Sequence, residues 1–209
     1  MISIKSVSHS YNGTSKISFK DWQINDGEQW LLLGESGSGK TTLLHALTGI
    51  LKPTEGEVYI ADTSIYKLSS KQLDQFRGRK IGIIFQRPHL IKSLTIQENL
   101  QLAQSFAQLP EDLNRIDEVL TSLAIADKKK AYPSELSQGQ LQRVSIARAV
   151  INKPTLLIAD EPTSSLDDKN AESVLALLME QSKLNNATLV VATHDKRVKD
   201  AFTNTYNLA

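Results

Sequence analysis

The sequence predicts an α/β fold organised around a mainly parallel β-sheet. Three observations carry that expectation. Short apolar runs at 30–33, 81–85, 156–159 and 188–193 have the length of buried strands rather than of helices. Segments with helical caps or helical apolar spacing lie between them. A glycine- and serine-rich loop joins the first run to a helix-forming stretch, as alternating α/β folds require.

Taken in order, Ile2 and Ile4 alternate with polar neighbours, and Ile17, Phe19, Trp22 and Ile24 predict a second strand. Asp26-Gly27 is a turn before the run 30–33. A helix is expected over 40–50, after which Lys52-Pro53 and Glu55-Gly56 lead into a strand at 57–61. Beyond the strand at 81–85 the texture becomes helical. Thr95 and Glu98 form a capping box ahead of Leu100, Leu102, Ala103 and Phe106. A second helix is predicted over 110–124, and a third, after Gly139, carries Leu141, Val144, Ala147, Ala149 and Ile151. The core resumes with the strand 156–159, a helix over 170–182 and the strand 188–193. Residues 87–153 therefore read as a helical subdomain inserted into a core formed by 1–86 and 154–209, within a single domain spanning 1–209.

Composition narrows the functional classes. A chain of 209 residues suits one compact domain with a sub-lobe, and 40% apolar against 22% charged residues excludes disorder. The 24 basic and 23 acidic residues leave a net charge of +1, which argues against a broad electrostatic footprint for nucleic acid. The absence of cysteine removes disulfides, thiolate metal sites and cysteine nucleophiles together. No apolar run approaches the roughly 18 residues of a membrane span. The first residues lack the apolar stretch of a signal peptide, so a soluble, cytoplasmic chain is expected. Lys128-Lys129-Lys130 reads as solvated surface.

The strongest chemical signal is Gly34-Glu35-Ser36-Gly37-Ser38-Gly39-Lys40-Thr41, which fits G-x-x-x-x-G-K-[ST] between a strand and a helix. Its glycines let backbone amides curl around phosphates, and the helix start adds partial positive charge. Lys40 is expected to reach the β- and γ-phosphates and Thr41 to hold Mg²⁺. The strand 156–159 then ends in Asp160 and Glu161. Alone, such an end is best read as a solvated cap. Beside a phosphate loop, Asp160 is placed to assist the metal and Glu161 to polarise an attacking water. Ser137 and Gly139 open another helix, a second start able to bind an anion.

These residues together resemble the nucleotide-binding subunit of an ATP-binding cassette (ABC) transporter, in order and over nearly the whole chain. Tyr11 falls at the position of the aromatic that stacks on adenine, 34–42 (Gly34 to Thr42) at the Walker A loop, and Gln86 at the Q-loop glutamine. Residues 136–140 match the signature motif, 156–161 Walker B, Ser165-Leu166-Asp167 the D-loop and His194 the switch histidine. One departure stands out: Gln138 occupies a signature position that is usually glycine, while Ser137 and Gly139 remain.

The resemblance implies a P-loop NTPase core with an N-terminal antiparallel β subdomain and the inserted helical subdomain. It implies an ATPase that binds ATP and Mg²⁺ and pairs head to tail with a second cassette. Glu161, His194 and Gln86 would be catalytic, Thr41, Gln86 and Asp160 would serve the metal, and Ser137 and Gly139 would reach the ATP of the other subunit. Asp167 would communicate across that dimer. Separate integral membrane permease subunits would be its partners, placing it on the inner face of the cell membrane, with no nucleic acid expected. With 15 positions after His194, no C-terminal regulatory domain is expected. The stretch 77–100, including His89-Leu90-Ile91 and Ser93-Leu94-Thr95-Ile96-Gln97-Glu98-Asn99-Leu100, is similar to cassettes of lipoprotein release, macrolide efflux and cell division. A cell-division-type regulatory ATPase and a small-solute importer subunit remain the alternatives.

Overall fold

The computed structural model describes residues 1–11, 15–164, 166–194 and 196–208. Along the chain, β1 (Ile2–Tyr11), β2 (Ser15–Ser18) and β3 (Trp22–Ile24) precede β4 (Gln29–Leu33), which runs into the glycine-rich loop and α1 (Lys40–Leu47). Then come β5 (Glu55–Ile60), β6 (Thr63–Ser64), α2 (Ser70–Lys80) and β7 (Ile81–Ile84). The helices α3 (Ile96–Phe106), α4 (Leu113–Ser122) and α5 (Gln138–Val150) lead to β8 (Leu156–Asp160). The chain closes with α6 (Asp168–Leu184), β9 (Thr188–Thr193) and β10 (Asn204–Asn207).

The strands form two sheets. In the first, β1 pairs antiparallel with β2, β3 and β5, and β5 with β6. The second is wholly parallel, in the order β10-β4-β9-β8-β7. The strand expected across Ile17, Phe19, Trp22 and Ile24 is in fact two. Register shifts in β1 between Lys5 and Ser8, where Ser6 adopts φ 51° and gives its N–H to Asp21 Oδ1 at 2.7 Å. The partner strand breaks around that same bulge.

Period-two alternation in the parallel strands divides the interior into two cores. Leu32, Leu156, Ile158, Val190 and Ala192 pack with α1 and the antiparallel sheet. Leu31, Leu157, Ala159, Leu189 and Val191 face the other way, onto α3–α6. The helix expected over 110–124 begins at Leu113, because the Asp112 carboxylate caps it by accepting the N–H of Arg115 at 2.9 Å. Three elements absent from the sequence reading are α2, the two-residue β6 and β10. No residue of α2 is fully buried, and a Ser69–Gln72 capping box starts it; β10 is a polar edge strand on β4.

Strand register then fixes the site. Leu33 lies opposite Thr193, Ala192 opposite Asp160, and Ala159 opposite Ile84. The residues that follow these strands therefore emerge together at the carboxyl edge of the parallel sheet, where α/β folds bind ligands. No described helix is long and apolar enough to cross a membrane.

Candidate nucleotide site

A cavity of about 580 Å³ opens at that edge, lined by Tyr11, Ile17, Ser36, Gly37, the 39–42 helix start, Gln86, Asp160, Glu161 and His194. Its floor is the glycine-rich loop. Gly37 (φ 83°) and Gly39 (φ 97°) take left-handed conformations that turn the loop back into α1. Gly34 has no room for a Cβ, which would collide with Ser38 Oγ. Helix α1 begins without a side-chain cap and without an acidic residue in its first turn, so its amides and dipole face the cavity uncompensated. Ser38 Oγ is buried beside Gly34, off the cavity wall, and has no hydrogen-bond partner among the described residues. A cradle of left-handed glycines closed by an uncapped helix start fits an anionic group.

Lys40 is only 8% exposed, and its ammonium donates to the carbonyls of Gly34 at 2.7 Å and Glu35 at 3.0 Å. The Thr41 hydroxyl donates to Asp160 Oδ2 at 3.0 Å, across 119 residues of sequence. Burial pushes the Asp160 carboxyl above its usual range; the Thr41 hydrogen bond counters this and the neighbouring Glu161 adds to it. No group of three or more His, Asp or Glu residues forms a metal cluster among the described residues. The protein's donors at this point are one hydroxyl and one carboxylate, a set that suits Mg²⁺ completed by water and phosphate oxygens.

Glu161 turns out of β8 in a left-handed conformation (φ 49°), its N–H on the carbonyl of Ala192 at 2.8 Å. The carboxylate lies against the end of β9. Oε1 meets His194 Nδ1 at 2.8 Å and accepts the His194 N–H at 3.1 Å, while Oε2 accepts the Thr193 hydroxyl at 3.0 Å. Gln86 donates to Ser164 Oγ at 3.0 Å, and that hydroxyl donates to the Glu161 carbonyl at 3.1 Å. The Tyr11 hydroxyl sits 3.0 Å from Thr42 Oγ1, with its ring at the cavity mouth.

Not every expected residue converges. Ser137 caps α5, accepting from the N–H of Gln140 at 3.3 Å, and neither it nor Gly139 lines the cavity. Asp167 caps α6 through Asn170, and Ser165 lies outside the described residues, as does Asp195 beside His194. Three participants escaped the sequence reading: Ile17 on the cavity wall, Ser164 beneath Gln86, and Thr193 against Glu161. Only Ile17 had a signal, its place in an alternating strand.

The ABC transporter family model matches residues 18–164. The methionine import ATP-binding protein MetN of Carboxydothermus hydrogenoformans is 40% identical over 203 residues, 95% of this chain; the chain spans 60% of that relative's length. The lipoprotein-releasing system ATP-binding protein LolD of Buchnera aphidicola subsp. Schizaphis graminum is 40% identical over 185 residues, covering 88% of this chain and 80% of LolD. Among solved structures, the dimeric post-hydrolysis state of the ATP-binding cassette MJ0796 bound to ADP and Pi superposes with a TM-score of 0.88. It is 36% identical, covering 100% of this chain and 94% of that one.

Proposed function

The chain belongs to the ABC transporter family as an ATP-binding cassette, and from that premise we propose that the cavity binds and hydrolyses ATP to drive a separate membrane permease. The observation that carries the reading is the convergence of Lys40, the Thr41–Asp160 pair and the Glu161–His194 pair on one cavity at the sheet edge. Tyr11 offers its ring to the adenine, the 34–39 loop and α1 amides cradle the phosphates, and Lys40 moves from carbonyl oxygens to phosphate oxygens. Thr41 and Asp160, with Gln86, would hold Mg²⁺, which when bound neutralises charge on the β- and γ-oxygens. Glu161 orients and activates the attacking water, and His194, with its side chain 66% exposed, turns to the γ-phosphate.

The exposed Ser137 and half-buried Gly139 start α5 away from the chain's own cavity. That placement supports a head-to-tail pair in which each cassette presents its α5 start to the other's ATP, with Asp167 at the shared boundary. The dimeric MJ0796 cassette lends support. Such a pair docked on its permease sits at the inner face of the membrane. Within the family we favour a lipoprotein-release or macrolide-efflux type, on residues 77–100 and the likeness to LolD. The equal identity to MetN supports an importer subunit as the second reading.

The deciding experiment is Glu161→Gln. It is expected to retain ATP binding, lose at least about a hundredfold in turnover, and accumulate as an ATP-bound dimer on size exclusion. Near-normal hydrolysis would refute the assignment of the base. Co-purification of the membrane partner separates release, efflux and import by the partner's span count and external domain.

A further inference from the structure

Strand β9 reads Thr-Leu-Val-Val-Ala-Thr and is buried throughout, with hydroxyls only at its two ends. Thr188 closes the amino end, accepting the N–H of Gly27 at 3.1 Å. Thr193 closes the other at 1% exposure, level with Leu33 in the neighbouring strand and one step beyond the Ala192–Asp160 pairing. That step is the one at which Glu161 leaves β8. Its left-handed turn carries the carboxylate sideways onto β9, where the Thr193 hydroxyl meets Oε2 and the backbone N–H and ring Nδ1 of His194 meet Oε1.

The two oxygens are thus held differently. The partner of Oε2 is a buried hydroxyl on a central strand; Oε1 is shared between a backbone amide and an exposed imidazole that is free to rotate away. When the imidazole turns to a ligand, the carboxylate keeps the His194 N–H on Oε1 and the Thr193 hydroxyl on Oε2, and Thr193 is the side chain that still holds it.

We propose that Thr193 is a positioning residue for ATP hydrolysis, its hydroxyl holding the Glu161 carboxylate in the orientation from which it activates water. The inference rests on Glu161 being the general base, and the test separates the two.

Single-turnover hydrolysis, nucleotide affinity and melting temperature are measured on the full chain for Thr193→Val, Thr193→Ser, Glu161→Gln and the Glu161→Gln/Thr193→Val double variant. Val preserves shape and burial while removing the donor. Thr193→Val is expected to slow hydrolysis about tenfold, as loss of a hydrogen bond to a charged group implies, with affinity unchanged within about twofold and Thr193→Ser restoring the rate. In the Glu161→Gln background, Thr193→Val adds no further loss, because the two act as one unit. A Thr193→Val chain that turns over normally while Glu161→Gln is inactive overturns the positioning role and leaves the base standing. Active Glu161→Gln overturns the base, and the inference with it. Loss of affinity in parallel with rate, or failure of Ser to rescue, assigns Thr193 to the fold alone and also overturns it.

Discussion

Gly82→Ala tests how the two halves of the site are held together. Gly82 lies in β7, three residues before the strand gives way to Phe85 and Gln86, and α5 crosses directly over it. A Cβ at Gly82 would collide with the carbonyl oxygen of Ala149 and lie 2.6 Å from Leu157 Cδ2. Ordinary carbon contacts need about 3.5 Å or more, so the backbone of α5 must move by roughly an ångström. The Leu157 methyl is fully buried with little room to turn, and Ala149 presents backbone, which cannot yield without shifting the helix. The cost falls at the upper end of overpacking penalties, about 3 kcal/mol. For a chain of this size that corresponds to a melting temperature lower by about 6–12 °C. Differential scanning calorimetry of the nucleotide-free protein measures it, and a fall of less than about 2 °C, roughly half a kcal/mol, would refute the claim that α5 is packed onto β7 without slack. Because α5 begins at Ser137, its displacement is also expected to weaken ATP-driven pairing of cassettes.

Tyr11→Phe keeps the ring and removes the hydroxyl bonded to Thr42; it is expected to leave ATP affinity within about twofold, whereas Tyr11→Ala loses about five- to tenfold, the worth of a stacking contact, by fluorescent-nucleotide titration. Arg115 joins three helices, donating to the carbonyl of Val150 at 3.1 Å and to Asn185 Oδ1 at 2.7 Å. Arg115→Met is expected to cost about 2 kcal/mol, a melting temperature lower by about 4–8 °C, with hydrolysis per folded molecule unchanged. Hydrogen bonds from Trp30 and then Asn25 hold the Glu28 carboxyl below its usual value of 4.5. A lowered carboxyl stabilises the fold above its unfolded pKa, and that stability is lost as pH falls through the folded value. Glu28→Gln is therefore expected to lower the melting temperature by a degree or two at pH 7, well under about 1 kcal/mol for a carboxyl near the surface. The difference should close as pH falls below 4.5, and a pH-independent difference would contradict the linkage.

What was legible in the sequence was what is local. The phosphate loop is one run of residues whose spacing is set by a single turn, and the carboxylates of Asp160 and Glu161 follow an apolar strand without a gap. The parallel strands were found because burial on both faces makes them uniformly apolar. Hidden elements owe their existence to something other than apolar pattern: a cap for α2, an open sheet edge for β10, and a bulge at Ser6 for the break between β2 and β3. Contacts such as Gln86–Ser164 and Thr193–Glu161 were invisible because strand register creates them across 78 and 32 residues. A threonine at a strand end carries no mark that distinguishes a carboxylate anchor from a ladder cap.

The polar groups proposed to act are held by partners within the fold. Lys40 rests on two carbonyls, Thr41 on Asp160, Thr42 on Tyr11, Gln86 on Ser164, and Glu161 on the end of β9. A buried ammonium without such partners would weigh heavily against folding. The carbonyls satisfy Lys40 with partial charges only, so a triphosphate that replaces them exchanges charge–dipole for charge–charge contacts without moving the nitrogen far. Capture of phosphate is then a change of partners at fixed positions, and little ordering entropy opposes it. Stabilisation by added ATP is then expected to follow mass action on the binding constant alone. An excess over that amount would mean that part of the site orders only when ATP arrives, contrary to the hydrogen bonds already in place.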